Sequence, residues 1–80
     1  MSTAVSLRQL QPGQNATIIK ISTTAGPLGR RLRDMGIVPG ATLTVIGYAP
    51  LKDPMEIKIK GYNLTLRSNE ANHIMVEVTS

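Results

Sequence analysis

The stretch MEIKIKGYNLTLRSNEANHIMVEV, residues 55–78, decides the fold. It opens on strict alternation, with Met55, Ile57 and Ile59 against Glu56, Lys58 and Lys60. A period of two places successive side chains on opposite faces of a strand, so one face is apolar and the other solvated. Gly61 marks a tight turn, after which Leu64 and Leu66 alternate with Asn63, Thr65 and Arg67, and the two runs read as a β-hairpin. Residues 68–72 read as a capped helical turn. Ile74, Val76 and Val78, alternating with Met75 and Glu77, then form a closing strand.

Working upstream, residues 42–48 form another alternating strand, with Leu43 and Val45 on one side and Thr42, Thr44 and Ile46 on the other. Residues 16–22 are rich in β-branched side chains and predict a first strand, but Ile18 and Ile19 are adjacent, which requires a bulge if both are to be accommodated. Between these two strands the period changes. Leu28, Leu32 and Met35 fall at i, i+4 and i+7, whereas Arg30, Arg33 and Asp34 point the other way, as in a short amphipathic helix. Pro27 suits its first turn, and Gly36 suits the left-handed position that ends it. Near the start, Ser6 caps a brief helical turn carrying Leu7 and Leu10, broken by residues 11–13, which makes a lid over the core. Five short strands and one helix between the first two predict a mostly β, SH3-like five-stranded barrel, because closure of a bent sheet removes exposed edges. The expected core is Leu32, Leu43, Val45, Ile57, Ile59, Leu64, Leu66, Ile74 and Val76. A chain of 80 residues has material for one core, so residues 1–80 are expected to be one domain.

Composition narrows the chemistry. There is no cysteine, hence no disulfide framework and no thiolate site, and the only aromatics are Tyr48 and Tyr62. The N-terminal residues lack a basic start followed by an apolar run, so no secretory leader is expected and the mature chain is expected to begin near Met1. No apolar run approaches the roughly 18 residues of a membrane span, and a cytoplasmic location is expected. His73 is the sole histidine, and Asp34, Asp53, Glu56, Glu70 and Glu77 are scattered over different elements, so no metal site and no acid and base pair is signalled. No glycine-rich phosphate loop and no nucleophile elbow occurs. Catalytic residues, metal and cofactor are therefore all expected to be none. The net charge of +4 comes partly from Arg30, Arg31 and Arg33 on the helix and Lys58, Lys60 and Arg67 on the hairpin's outer face. Those clusters suit phosphates, and a small basic nucleic-acid-binding module is the alternative reading. The scarcity of aromatic platforms weighs against it, and a solvated face explains the charges better.

The run LGRRLRDMGIVPG at 28–40, followed by APLKDP at 49–54, resembles the FeoA family. The leading LRQLQPGQ, the hairpin and the ending RSNEANHIMVEV keep the family's order of elements over nearly the whole chain. The same SH3-like module also occurs as a C-terminal domain of iron-dependent repressors, and a free-standing chain with APLKDP fits FeoA better. The resemblance implies a cytosolic accessory of ferrous iron uptake whose partner is the cytosolic part of the FeoB transporter. Membrane contact would come only through that partner, nucleic acid is not expected, and self-association is left open. The residue reading and the family motifs both single out the helix and the loop after the second strand. The expected partner-binding set is Leu28, Arg30, Arg31 and Arg33 with Tyr48, Pro50, Leu51 and Pro54. An iron-binding chaperone is a third reading, and a ferrous titration separates it from the others.

Overall fold

A computed structural model of the chain describes residues 4–22 and 26–79. Residues 1–3, on which the expectation about a leader falls, lie outside them, as do residues 23–25 and 80. The described elements are β1 (Val5–Ser6), a 3-10 turn (Leu7–Gln9), β2 (Asn15–Ile21), α1 (Gly26–Asp34), β3 (Thr42–Tyr48), β4 (Met55–Ile59), β5 (Tyr62–Leu66), α2 (Ser68–Ala71) and β6 (Ile74–Val78). The five expected strands are all there, and the two-residue β1 is added ahead of them by pairing Val5 with Val76 and Ser6 with Met75. Two residues carry no readable period, which is why the sequence does not announce this strand. All strands pair antiparallel in the order β1-β6-β2-β3-β4-β5. The strongly bent sheet wraps one apolar core in the SH3-like manner.

Bulges supply the bend. The β2–β6 register shifts between Ile18 and Lys20, so Ile18 is buried and Ile19 is 42% exposed. The adjacent isoleucines thus resolve as a bulge requires. A second shift between Val45 and Gly47 leaves Ile46, 41% exposed, without a partner in β4. The hairpin closes through Lys60 at φ 53° and Gly61 at φ 87°. Two successive positive φ values match the type I′ turn, whose twist suits the flanking strands.

Eight of the nine expected core residues are buried; Leu64 is only partly so. It is in phase, but β5 is the last strand of the ladder and gives it neighbours on one side only. The core also takes in Ala16, Ile18 and Ile21 of β2, Met55, Ala71, Ile37, and Leu7 and Leu10, which begin and follow the 3-10 turn that Ser6 caps by accepting from the Arg8 N–H at 3.3 Å. α1 lays Leu32 into this core with Leu28 and Met35 half-buried beside it. It ends at Gly36, φ 84°, where the Ile37 N–H donates to Leu32 O at 2.9 Å and the Gly36 N–H to Arg33 O at 3.0 Å. That pair of bonds is the Schellman motif, and burial of Ile37 beneath the helix end accompanies it.

Candidate protein-binding surface

Residues 49–54 leave the sheet because Pro50 and Pro54 bracket them, and a proline has no N–H to give to a ladder. Four hydrogen bonds hold them, two within the loop and two from other elements. The Ala49 N–H donates to Pro54 O at 3.0 Å, and the Lys52 N–H to Ala49 O at 2.7 Å, closing a turn with Lys52 at φ 62°. Asp53 Oδ1 accepts from the Ser68 N–H at 2.9 Å, which fixes the loop to the start of α2. The peptide between Asp53 and Pro54 is cis. From the 3-10 turn, the Arg8 guanidinium donates to Lys52 O and stands over the Tyr48 ring, 5.7 Å from its centroid. The Tyr48 hydroxyl reaches back to Leu10 O at 2.5 Å and Arg8 O at 3.1 Å. Burial pushes the Tyr48 phenol above its ordinary value of 10.0, and the nearby Arg8 charge offsets part of the rise. At the tip of this pinned loop Leu51 is 90% exposed, with Pro50 and Lys52 also in solvent. An apolar side chain so exposed on so constrained a backbone is suited to insertion into a partner.

The helix half of the expected surface is arranged differently. Leu28 packs partly against the core. Arg30, Arg31 and Arg33 are exposed, and a depression of about 290 Å³ is lined by Gly26, Pro27, Arg30, Arg31 and Asp34. The Arg31 Nε donates to Glu70 Oε2 at 2.9 Å while 64% of its side chain stays exposed. Glu70 itself is 5% exposed and accepts the Arg67 N–H on its other oxygen at 2.9 Å. So α2 joins the two halves: its first residue is bound to the loop through Asp53, and its Glu70 is bound to α1 through Arg31. Pro54 and Tyr48 lie below the tip, half-buried, and line a cleft with Gly47, Ala49 and Met55. Tyr48 therefore acts as a support for the loop.

The sequence reading did not assign Arg8, Asp53 or Glu70 to this region. A capping role for Glu70 was legible only as a helical turn at 68–72. Arg8 and Lys52 are 44 residues apart, and nothing local signals that they meet. Elsewhere, Lys58 and Lys60 line a shallow groove of about 460 Å³ with Asn15, Thr42, Leu43, Thr44 and Thr79, and Arg67 is outside that lining. His73 Nδ1 lies 3.1 Å from Ser22 Oγ. Among the described residues no group of three or more His, Cys, Asp or Glu stands together to hold a metal ion, and no helix is long and apolar enough to cross a membrane.

The FeoA domain model matches residues 5–78. The Fe(2+) transport protein A/Fe(2+) transporter FeoB fusion protein of Porphyromonas gingivalis is 39% identical over 74 residues, which is 92% of this chain and 9% of that one. This chain thus spans less than a tenth of that relative's length. Among solved structures, the NMR structure of a FeoA-like protein from Clostridium acetobutylicum has a TM-score of 0.90 at 34% identity, covering 100% of this chain and 92% of the other. Iron(II) transport protein A from Clostridium thermocellum has a TM-score of 0.89 at 41% identity, covering 94% of this chain and 46% of that one.

Proposed function

The chain belongs to the FeoA family of ferrous iron transport, and from that premise we propose that it is a single-domain cytosolic accessory that binds the cytosolic part of a FeoB-type transporter. The observation that carries the binding role is Leu51, 90% exposed on a loop closed by two bonds of its own and held to the fold by Arg8 and Ser68. Ordering that loop has already been done in the free chain, so little entropy remains to be lost on association. The partner is taken from the Porphyromonas relative, in which a FeoA part and a FeoB part share one chain. Covalent linkage raises the effective concentration of two modules that work at one place. The working surface in this reading is Leu51 with Pro50 at the tip, supported by Tyr48 and Pro54, and the exposed arginines Arg30, Arg31 and Arg33 beside the half-buried Leu28. The guanidiniums suit carboxylates at the rim of an interface, where they guide encounter. The chain brings no chemistry of its own to the transporter in this reading.

The test is binding of the full chain to the FeoB transporter of the same cell, held in lipid nanodiscs, together with ferrous uptake by cells carrying the variants. Leu51→Ser is expected to melt like wild type and to weaken binding about tenfold or more, as loss of a buried apolar anchor does. Arg30→Glu is expected to slow association, most strongly at low salt. Arg31 is a poorer probe, because reversing its charge would set a carboxylate against the buried Glu70. If both folded variants bind and transport normally, the working surface is elsewhere, and the face of Lys58, Lys60 and Arg67 is the next to test.

A further inference from the structure

We propose that Arg8 is the residue that positions the docking loop: its guanidinium latches residues 49–54 to the 3-10 turn so that Leu51 is presented in one orientation. This rests on the reading of Leu51 as the docking tip.

Arg8 is on the 3-10 turn Leu7–Gln9, whose flanking leucines Leu7 and Leu10 are buried in the core. Its base is therefore as rigid as the core. From that base the side chain crosses to a strand end and a loop far along the sequence. The guanidinium donates to Lys52 O, the carbonyl of the residue held at φ 62°, and stands 5.7 Å from the centroid of the Tyr48 ring. Tyr48, the last residue of β3, donates its hydroxyl to Leu10 O with Arg8 O as a second, longer acceptor, so the turn grips the strand end through Tyr48 and the loop through Arg8. Arg8, Tyr48 and Lys52 line one small cleft with Leu10 and Gln11. A non-glycine residue at positive φ is held there by its surroundings. The backbone bond from Lys52 to Ala49 O and the side-chain bond from Arg8 to Lys52 O act on the two sides of that one residue. A charged, planar donor suits the task because it gives a stronger bond than a neutral one and lies within cation–π range of the ring at the same time. Leu51 precedes Lys52, so fixing the Lys52 peptide fixes the direction in which Leu51 leaves the loop.

The variant is Arg8→Met, which keeps an unbranched stem and removes the donor; Arg8→Lys keeps a donor and the charge. The first measurement needs no partner. Amide exchange of Ala49 and Lys52, the two loop amides bonded within the loop, is expected to quicken about tenfold in Arg8→Met, with strand amides unchanged and Arg8→Lys between Arg8→Met and wild type. Wild-type exchange in Arg8→Met overturns the proposal. The second measurement is binding to the transporter in nanodiscs for Arg8→Met, Leu51→Ser and the double variant. If Arg8 acts through Leu51, Arg8→Met weakens binding several-fold alone and has no further effect once Leu51 is Ser. Additive losses would mean that Arg8 touches the partner itself, and overturn the positioning role. Loosened exchange in Arg8→Met with transporter binding intact in Leu51→Ser would instead overturn the reading of Leu51 on which the proposal rests.

Discussion

Gly36 and Tyr48 show how much one residue decides. Gly36 sits at φ 84°, the left-handed position that lets the Schellman bonds form and sends the chain under the helix to bury Ile37. A Cβ there would meet the Lys60 Cδ at 3.4 Å, an ordinary contact with a side chain that can move, so the backbone conformation sets the cost. Gly36→Ala is expected to destabilise by about 1–2 kcal/mol. Urea denaturation measures it, and an unchanged midpoint would contradict the cap. Tyr48 is legible in sequence only as an aromatic at a strand end. Its half-buried hydroxyl donates to Leu10 O, with Arg8 O as a second, longer acceptor, and its folded pKa lies above the unfolded value. The folded state therefore holds the phenol's proton more tightly. This contribution is fully present below pH 10.0 and is lost as pH rises through the folded pKa. Absorbance titration in a Tyr62→Phe background, where Tyr48 is the only phenol, is expected to give an upshifted midpoint. Arg8→Met should move it higher still, because the guanidinium is the factor that lowers it. A midpoint at the ordinary tyrosine value would show that the hydroxyl is not held in this way.

At the scale of the element, α1 is readable from end to end. Its apolar spacing and its glycine stop are both in the sequence, and Leu32 is at the centre of the face it buries. The helix has few partners, so its docking depends on that one side chain more than a long helix would. Leu32→Ala is expected to cost about 2–5 kcal/mol, and Leu28→Ala, half-buried at the edge of the same face, about 1 kcal/mol. Equal melting losses would mean that the two are equally embedded. The loop at 49–54 is legible in a weaker way. The prolines say that it is not strand, but they do not say what holds it. Its anchors come from Arg8, Ser68 and the fold of the 3-10 turn. Likewise the outward side of α1 reads as a basic stripe, while the pairing of Arg31 with a buried Glu70 belongs to the packing of α2.

For the whole molecule, the consequence for iron is concrete. His73 sits beside Ser22, three of the five carboxylates are engaged separately, Glu70 with Arg31, Asp53 with Ser68 and Glu56 with Asn63, and among the described residues no three His, Asp or Glu stand together. Ferrous ion prefers several converging donors, and these do not converge. Anaerobic calorimetry with ferrous iron is expected to give binding weaker than micromolar. Stoichiometric micromolar binding, lost in His73→Ala, would overturn that expectation. In the proposed role the metal is the transporter's cargo, and the chain contributes a surface.

The sequence by itself determined the strand phases, the helix and its stop, the hairpin and the bulge in β2, since each is written in spacing or in glycine and proline within a few residues. It also determined that chemistry-bearing residues are sparse. Only the tertiary structure decided that two residues at the start pair with the last strand, that Leu64 lies at the open end of the ladder, and that Leu51 projects from a loop pinned by a residue 44 positions away. The physical reason is range. Periodicity and turn chemistry act between neighbours and leave their mark in the order of residues. A lone donor meeting a lone carbonyl across the fold depends on how the whole sheet bends, and no local pattern records it.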